Sequence, residues 1–284
     1  MLPRSGRAVD EGALTRALAL ADGWGAGTVA VAVLDADGVI AARGPLELAL
    51  PWASVTKLVT AYTVLIGVER GVVGLDAPAG PKGATLRHLL AHASGYAFEG
   101  HGTLAAPGRT RIYSNTGLDE AAACLSTAAG RPFEVLLGEW VLTPLAMTGT
   151  RLVDRPSAGL TGPCEDLAAF ARELLTPQLL PPDALRGATT VAFPGLRGVL
   201  PAFGLQDPCD WGLGFEIRGR KTPHWTGARN SERTFGHFGR SGTFLWVDPE
   251  AGLVVACLTD RDFGPWAAAA WPPFSDAILA AAGA

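Results

Sequence analysis

The first part of the chain changes from a helical to a strand pattern. Apolar side chains recur at helical spacing over residues 8–22, AVDEGALTRALALAD, and the glycines that follow end that pattern. Two β-branched apolar runs come next, in TVAVAVLDADGVIAARG, and Asp37-Gly38 between them is a typical hairpin dipeptide. The pattern predicts one helix followed by two antiparallel strands.

The middle of the chain is dominated by helical periodicity. The longest such segment covers residues 54–70, and Gly71 is its stop signal. Four shorter helical segments are separated by glycine and proline, and they cover residues 85–95, 114–130, 132–145 and 165–175. Residues 181–210 are rich in both breakers and carry little periodicity, so they are predicted to be long loops at a domain junction.

Strand patterns return towards the C-terminus. They lie in WGLGFEIRGR (211–220) and RTFGHFGRSGTFLWVDPEAGLVVACLTD (233–260), and a last helix is predicted over 272–283. Strands near both ends most simply form one antiparallel sheet. The predicted fold class is α/β (α+β): an antiparallel sheet flanked by N- and C-terminal helices, with an inserted, mostly helical lobe. The predicted division is a sheet domain of residues 1–60 and 190–284 and a helical lobe of residues 61–189.

Composition excludes several classes of function. The 284 residues are 48% hydrophobic and 18% charged, the net charge is −4, and no basic run exceeds two residues, which argues against a nucleic-acid partner. No run of about 18 apolar residues occurs, and Asp10 and Glu11 interrupt the region where the apolar part of a signal peptide would lie. We therefore expect a cytoplasmic protein without membrane contact. Four cysteines fit no zinc spacing, and neither metal nor cofactor is predicted.

Ser54 and Lys57 form the first pair with chemical potential. A serine three residues before a lysine lies on nearly the same face of a helix, and at the start of the helix its hydroxyl meets the positive end of the dipole. A lysine that burial or a nearby cation keeps neutral could accept the serine proton. The alternative is a serine that caps the helix and a lysine that reaches solvent.

Two further short motifs carry polar groups at element boundaries. RIYSNTG (111–117) places Tyr113 and Asn115 just before a helix, where a tyrosine with a lowered pKa could relay a proton and the amide could hold a carbonyl. FGHFGRSGTFLWV (235–247) places His237 and Gly239 at the start of a strand, where glycine permits close approach of a ligand or backbone and histidine supplies a proton or charge. Helix capping and a strand-edge histidine are the alternatives.

Other candidate sites are weaker. His88 and His92 have the i, i+4 spacing of metal ligands, but no glutamate follows His88, and a structural pair is the preferred interpretation. No G-x-S-x-G occurs, so the nucleophile elbow of α/β-hydrolases is absent. Trp211 and Trp225 are candidates for the lining of an acyl pocket.

The three motifs together resemble the serine β-lactamase and penicillin-binding-protein superfamily. S-x-x-K at 54–57, Y-x-N at 113–115 and H-x-G at 237–239 occur in the order that this superfamily shows, with similar flanks such as LRHLLAHASG and WGLGF. The branch that the sequence most resembles comprises class C β-lactamases and family VIII esterases. Histidine at 237 departs from the lysine of many β-lactamases and is similar to esterases, peptidases and amide hydrolases.

The resemblance implies roles for named residues. Ser54 would be the acylated nucleophile, Lys57 its proton acceptor or electrostatic partner, and Tyr113 a relay or base that also activates the deacylating water. Asn115, His237, Gly239 and Arg240 would bind substrate, with the N–H groups of Ser54 and Arg240 as the oxyanion hole. Because its guanidinium is always charged, Arg240 is also a candidate for binding a substrate carboxylate.

The implied function is hydrolysis through an acyl-enzyme on Ser54. The expected activity is that of a carboxylesterase or an amide or D-peptide hydrolase with weak β-lactamase activity, and the partner is a small ester, amide or lactam. A biosynthetic acyltransferase and a catalytically inactive binding module stay as alternatives, and the oligomeric state is left open.

Overall fold

The computed structural model describes residues 10–284. The segment 1–9, which belongs to the predicted sheet domain, lies outside these residues. The helices are α1 (Glu11–Ala19), α2 (Thr56–Glu69), α3 (Leu86–Leu90), α4 (Asn115–Ala129), α5 (Phe133–Leu137), α6 (Cys164–Leu175), α7 (Pro182–Ala188) and α8 (Pro265–Ala281). The strands are β1 (Val29–Leu34), β2 (Val39–Arg43), β3 (Leu50–Pro51), β4 (Arg151–Leu152), β5 (Leu160–Gly162), β6 (Gly198–Leu200), β7 (Gly204–Gln206), β8 (Glu216–Ile217), β9 (Phe235–Gly239), β10 (Thr243–Asp248) and β11 (Leu253–Thr259).

The main sheet joins strands from both ends of the described chain. Its six strands run in the order β2-β1-β11-β10-β9-β8, and every neighbouring pair is antiparallel. The β1–β2 hairpin turns at Asp37-Gly38, as the sequence pattern predicts. The fold class is therefore confirmed: an antiparallel sheet carries the terminal helices, and mostly helical structure is inserted between its strands.

The two faces of the sheet bury different cores. Side chains alternate along a strand, so Val31 and Val33 of β1 pack with Trp246 of β10 under the terminal helices. Ala30 and Ala32, on the opposite face, pack against α2 and the helices of the inserted segment. The continuous apolar runs 244–247 of β10 and 253–258 of β11 follow from burial on both faces. The division into residues 1–60 with 190–284 and residues 61–189 stays a prediction.

Two segments differ from the sequence prediction. Residues 181–210, predicted as loops, contain α7 and the β6–β7 hairpin. Pro182 stands in the first turn of α7, where a missing N–H costs nothing. The last helix, predicted over 272–283, begins at Pro265, because Trp271, Phe274 and Ile278 bury a continuous stripe that outweighs Pro272 and Pro273 inside the helix. Within residues 10–284, no helix has the length and apolarity that a membrane crossing requires.

Candidate active site

Ser54 lies in a single 3-10 turn, Ala53–Val55, that leads directly into α2. Ala53 adopts φ 45°, a left-handed conformation that non-glycine residues rarely take. The preceding backbone is held by the start of β10 and its turn: Ser241 Oγ donates to the carbonyl of Pro51 (2.8 Å) and Thr243 Oγ1 to that of Trp52 (3.0 Å). The strained turn is therefore kept in place by bonds from the main sheet.

Lys57 follows one turn later and is fully buried. Its Nζ lies 3.0 Å from Ser54 Oγ and donates to the carbonyl oxygen of Ser157 at 2.9 Å. The pKa of Lys57 is lowered from its ordinary 10.5 to about 7, mainly by burial and in smaller part by Arg155, while Asp119 and Glu99 oppose the shift. At neutral pH a large fraction of the amine is unprotonated and can accept the Ser54 proton.

Tyr113 completes a triangle of hydrogen-bonding groups. Its hydroxyl donates to Ser54 Oγ at 2.8 Å, and Lys57 Nζ lies 4.9 Å from the centre of its ring. Burial raises the pKa of Tyr113, the opposite of the lowering that a phenolate base requires. In the free protein the phenol is therefore neutral and acts as a donor, which suits the relay role better than that of a base.

Asn115 begins α4 beside this triangle and is buried. Its Nδ2 donates to Glu99 Oε1 at 2.6 Å, while its Oδ1 has no partner among the described residues. The other carboxylate oxygen of Glu99 accepts from Arg155 at 2.7 Å, and Arg155 also binds Asp119. Asn115 is thus anchored to a charged network. The network is connected to Lys57 through Ser157, whose N–H donates to Asp119 at 2.8 Å and whose carbonyl accepts from Lys57 Nζ.

His237 is buried on β9 and packs against Tyr113, with 5.5 Å between the ring centres. Its Nδ1 lies 2.6 Å from the carbonyl oxygen of Phe238, so the neutral ring carries its proton there, and Nε2 is an acceptor without a partner among residues 10–284. Burial, reinforced by Lys57, lowers the pKa of His237 to about 3. Burial thus favours a neutral ring that accepts a hydrogen bond at Nε2, and it disfavours the positive charge that the sequence analysis considers at this position.

Gly239 and Arg240 occupy different surroundings at the end of β9. A Cβ at Gly239 would lie 2.6 Å from the carbonyl oxygen of Trp52, so the glycine allows the strand to approach the backbone before Ser54 rather than a ligand. Arg240 is exposed and lines the same cavity as Ser54. Within the described residues, the main-chain N–H groups of Ser54 and Arg240 donate to no protein acceptor, as an oxyanion hole requires.

Two residues that the sequence analysis did not assign hold the Tyr113 segment. His92 lies beyond the end of α3 with φ 54°, so it does not share a helical face with His88, and its Nδ1 accepts the N–H of Ser114 at 3.1 Å. The ring of His92 packs 4.8 Å from that of Tyr113. The i, i+4 spacing of His88 and His92 does not place the two rings on one helical face, because α3 ends at Leu90.

Arg111 is the second of these residues. Its buried guanidinium donates only to main-chain carbonyls, among them Ala91 (2.5 Å), Ala192 (2.8 Å) and Cys209 (3.0 Å). These carbonyls come from three separate segments, so Arg111 joins them two residues before Tyr113. In the sequence, only the position of Arg111 two residues before Tyr113 of the Y-x-N motif could have indicated this role.

The cavity above Ser54 has a volume of about 880 Å³. Trp211 lines it, as the sequence analysis predicts, whereas Trp225 is buried outside the lining and donates to Glu216 at 3.0 Å. Within residues 10–284, no cluster of three or more His, Cys, Asp or Glu side chains could hold a metal ion. The cavity combines an apolar wall with a nucleophile, a lysine of lowered pKa and unpaired amide donors, which are the groups that acyl transfer needs.

Comparisons with known proteins agree with this arrangement. The sequence profile of the family described as Beta-lactamase matches residues 19–279. The structure is similar to a β-lactamase from Mycobacterium bovis, with 50% identity, a TM-score of 0.92, and coverage of 93% of this chain and 98% of that one. A search of curated proteins finds no match.

Two more distant solved structures share the fold. One is EstCE1, a hydrolase with promiscuous acyltransferase activity, at 17% identity and a TM-score of 0.80, covering 96% of this chain and 100% of that one. The other is simvastatin synthase from Aspergillus terreus, at 18% identity and a TM-score of 0.78, covering 96% and 99%.

Proposed function

The chain belongs to the β-lactamase family, whose fold is shared by serine hydrolases and acyltransferases, and on that premise we propose that it hydrolyses carboxylic esters through an acyl-enzyme on Ser54. The observation that carries the proposal is the triangle of Ser54, Lys57 and Tyr113, in which Ser54 Oγ lies 3.0 Å from the amine and 2.8 Å from the phenol. Lys57 supplies the base because its pKa is lowered to about 7.

The first half-reaction acylates the serine. Neutral Lys57 takes the hydroxyl proton while Ser54 Oγ forms a bond to the substrate carbonyl carbon. The carbonyl oxygen becomes an anion, which accepts hydrogen bonds from the main-chain N–H groups of Ser54 and Arg240. When the carbonyl re-forms, the bond to the leaving oxygen breaks. The proton on Lys57 passes to that oxygen through the Tyr113 hydroxyl, which donates its own proton and receives the one from Lys57.

The second half-reaction releases the acid. A water molecule replaces the departed alcohol, loses a proton to the Tyr113–Lys57 pair and attacks the acyl carbon. Collapse of this intermediate breaks the bond to Ser54 Oγ, which recovers its proton from Lys57, and the carboxylic acid leaves. Each removed oxyanion donor is expected to cost about a hundredfold or more in kcat.

A fluorophosphonate probe tests the proposal. Intact-mass measurement of the native chain should show a single adduct that Ser54→Ala abolishes. Labelling of a site other than Ser54, or no labelling under conditions that label a known relative, would instead support the inactive binding module. Rates with p-nitrophenyl acetate and nitrocefin then separate esterase from β-lactamase activity, the activity that the name of the M. bovis relative suggests.

Amide or D-peptide hydrolysis requires the same acyl-enzyme. A p-nitroanilide and a D-alanyl-D-alanine peptide, compared with the acetate ester in the same assay, measure the preference among these substrates. Cleavage of the amides at rates equal to or above those of the ester would replace the esterase assignment.

Acyl transfer to an alcohol is the second candidate. It is supported by the cavity of about 880 Å³, which has space for an acceptor beside the acyl group, and by the acyltransferase activity in the name of EstCE1. Added short alcohols compete with water for the acyl-enzyme. If the ester product exceeds the acid product at millimolar alcohol, the chain is better described as an acyltransferase.

Arg240 is proposed to contact a negatively charged part of the substrate. It is exposed at the cavity wall, and within the described residues no carboxylate pairs with it. Arg240→Ala should raise KM for a hemisuccinate ester several-fold more than KM for the matched neutral butyrate ester. If Arg240→Ala leaves KM unchanged from the wild type for both the hemisuccinate and the butyrate ester, Arg240 does not have this role.

A further inference from the structure

Exposed apolar side chains are concentrated around the cavity of Ser54. Nine large apolar side chains are exposed among residues 10–284, and four of them line this cavity. These are Phe98 (51% exposed), Leu104 (71%), Val199 (58%) and Leu205 (67%). A solvated rim of a pocket for small polar substrates would carry polar side chains, so this concentration points to a ligand that covers apolar surface.

The first pair belongs to the β6–β7 hairpin. Val199 and Leu205 are direct partners across its two strands, so both side chains stand on one face. Their neighbours Leu200 and Gln206 point the other way and are buried. The hairpin therefore has a buried inner face, from which Leu200 also reaches the cavity, and an exposed apolar outer face, formed by Val199 and Leu205, that lines the cavity.

The hairpin is firmly tied to the catalytic segment. The N–H of Arg111 donates to the carbonyl of Arg197 at 2.9 Å, and Thr110 Oγ1 donates to the same oxygen at 2.9 Å. Gly198 lies so close to Arg111 that a Cβ would be 2.4 Å from its carbonyl oxygen. The outer face of the hairpin is thus fixed relative to Tyr113, two residues after Arg111.

The second pair lies between α3 and α4. Phe98 stacks on Tyr113, with 5.7 Å between ring centres and 22° between planes, and its carbonyl accepts the N–H of Asn115 at 2.9 Å. Leu104 is held by a bond from its N–H to the carbonyl of Gly95 at 2.8 Å. We call these two pairs, Phe98 with Leu104 and Val199 with Leu205, the apolar lips.

We propose that the preferred substrates carry an extended apolar acyl chain of about eight carbons or more, which lies between the apolar lips while its carbonyl is at Ser54. This inference rests on the proposed acyl-enzyme. The acyl chain is the occupant that the geometry favours over another protein, because the lips are continuous with the wall of the cavity that holds the nucleophile. A cavity of about 880 Å³ accommodates a chain of that length.

The test is the chain-length dependence of kcat/KM. The p-nitrophenyl esters from acetate to decanoate, kept below their micelle concentrations, should show an increase of up to about fourfold for each methylene that becomes buried. A profile that is flat or falls beyond butyrate, with acetate still cleaved and Ser54 still labelled, would overturn this inference and leave the proposed function intact. No cleavage and no labelling would contradict the proposed function itself.

A matched pair of double variants locates the chain. Val199→Ser/Leu205→Ser should lower the ratio of decanoate to acetate kcat/KM about tenfold, because two exposed apolar contacts are lost. The control Val39→Ser/Leu48→Ser changes a valine and a leucine that are 55% and 43% exposed away from the cavity, and it should leave the ratio unchanged. An equal fall for both esters in the lip variant would contradict the proposal.

Sedimentation of the same variants tests a second copy of the chain as the occupant. A wild-type dimer that the lip variant converts to a monomer, with an unchanged decanoate to acetate ratio, would assign the lips to self-association and overturn the acyl-chain proposal. A wild type and lip variant of equal sedimentation coefficient, together with the fall in the ratio, support it.

Discussion

Lys57 and Lys221 are both buried, with 0% and 2% of their surface exposed, but their amines have opposite surroundings. Among residues 10–284, Lys57 Nζ forms hydrogen bonds only with the neutral oxygens of Ser54 and Ser157. Lys221 Nζ forms an ion pair with the carboxylate of Glu216 and donates to the carbonyl of Asp210 at 2.8 Å. Burial alone therefore does not identify a reactive lysine; the groups that its amine touches do.

The Glu216 cluster shows what compensation of a buried charge requires. Its carboxylate accepts from Trp225 Nε1 (3.0 Å) and His224 Nε2 (3.1 Å) besides Lys221. Burial raises the pKa of Glu216, but Lys221 and His224 outweigh that effect and hold the pKa well below its usual range. The Glu216 carboxylate therefore stays ionised at physiological pH although it is buried.

Lys57 lacks that compensation, and its proposed role as the general base depends on the absence of a paired carboxylate. The carboxylates that oppose its pKa shift, Asp119 and Glu99, are held by Arg155 and act on the amine from a distance. An amine whose pKa lies near 7 changes protonation state during turnover at little cost. The same fold thus holds one lysine ready for proton transfer and another fixed in an ion pair.

The largest expected effect separates the two lysines by activity. Lys57→Met should lower kcat/KM for p-nitrophenyl acetate by about 10²–10⁴, because the general base is removed. The free energy of unfolding at pH 7 should fall by no more than about 1 kcal/mol, because the loss of two hydrogen bonds, to Ser54 and Ser157, is offset by the removal of an uncompensated buried amine. Stopped-flow hydrolysis and urea unfolding measure both quantities. A variant that retains more than a tenth of the activity would show that Lys57 is not the base.

The second prediction concerns Lys221 and stability. Lys221→Met leaves the Glu216 carboxylate buried with too few donors, so the free energy of unfolding should fall by about 3–5 kcal/mol. Glu216→Gln/Lys221→Met should recover part of that loss, because no buried charge remains. Urea unfolding of the wild type, the single variant and the double variant measures these free energies. If Lys221→Met is as stable as the wild type, the ion pair with Glu216 does not distinguish Lys221 from Lys57.

The motifs could be found in the sequence because each is short. Ser54 with Lys57, and Tyr113 with Asn115, are separated by a few residues, and the strand that carries His237 has a clear pattern of its own. The hairpin at Asp37-Gly38 and the antiparallel sheet were also predictable from alternation and turn residues. Local patterns sufficed wherever neighbours in sequence determine the structure.

What the sequence did not reveal depends on contacts between distant segments. The carbonyls around Arg111 come from residues near 91, 192 and 209, so no local pattern indicates that it is buried. Gly198 looks like a loop breaker, yet it is needed where β6 meets the backbone of Arg111. The protonation states of Lys57 and His237 follow from burial, which is a property of the whole fold.

A third prediction uses pH to separate Lys57 from His237. Because Lys57 must be neutral to accept the serine proton, kcat/KM should rise about tenfold between pH 6 and pH 8 with a midpoint near 7, and then level off. His237 has a pKa of about 3 and Tyr113 has a raised pKa, so neither residue should add a further change in kcat/KM between pH 5 and 9. His237→Asn should therefore keep the midpoint near 7 even if its rate is lower. A midpoint that moves with His237→Asn would assign the limb to the histidine.

The smallest expected effect tests the charges behind Lys57. Asp119 raises the pKa of Lys57 and its Oδ1 accepts the N–H of Ser157, whose carbonyl binds the amine. Asp119→Asn keeps an oxygen for that N–H but removes the negative charge and leaves Arg155 less neutralised. Both changes lower the pKa of Lys57 further, so the midpoint of kcat/KM against pH should move to lower pH by less than about one unit.

Glu232→Gln, which breaks an exposed pair with Arg220 elsewhere, is the control and should leave the midpoint unchanged. A shift to higher pH in Asp119→Asn would contradict this account, because the loss of the carboxylate charge and a weaker contact from Lys57 Nζ to the Ser157 carbonyl both disfavour the protonated amine.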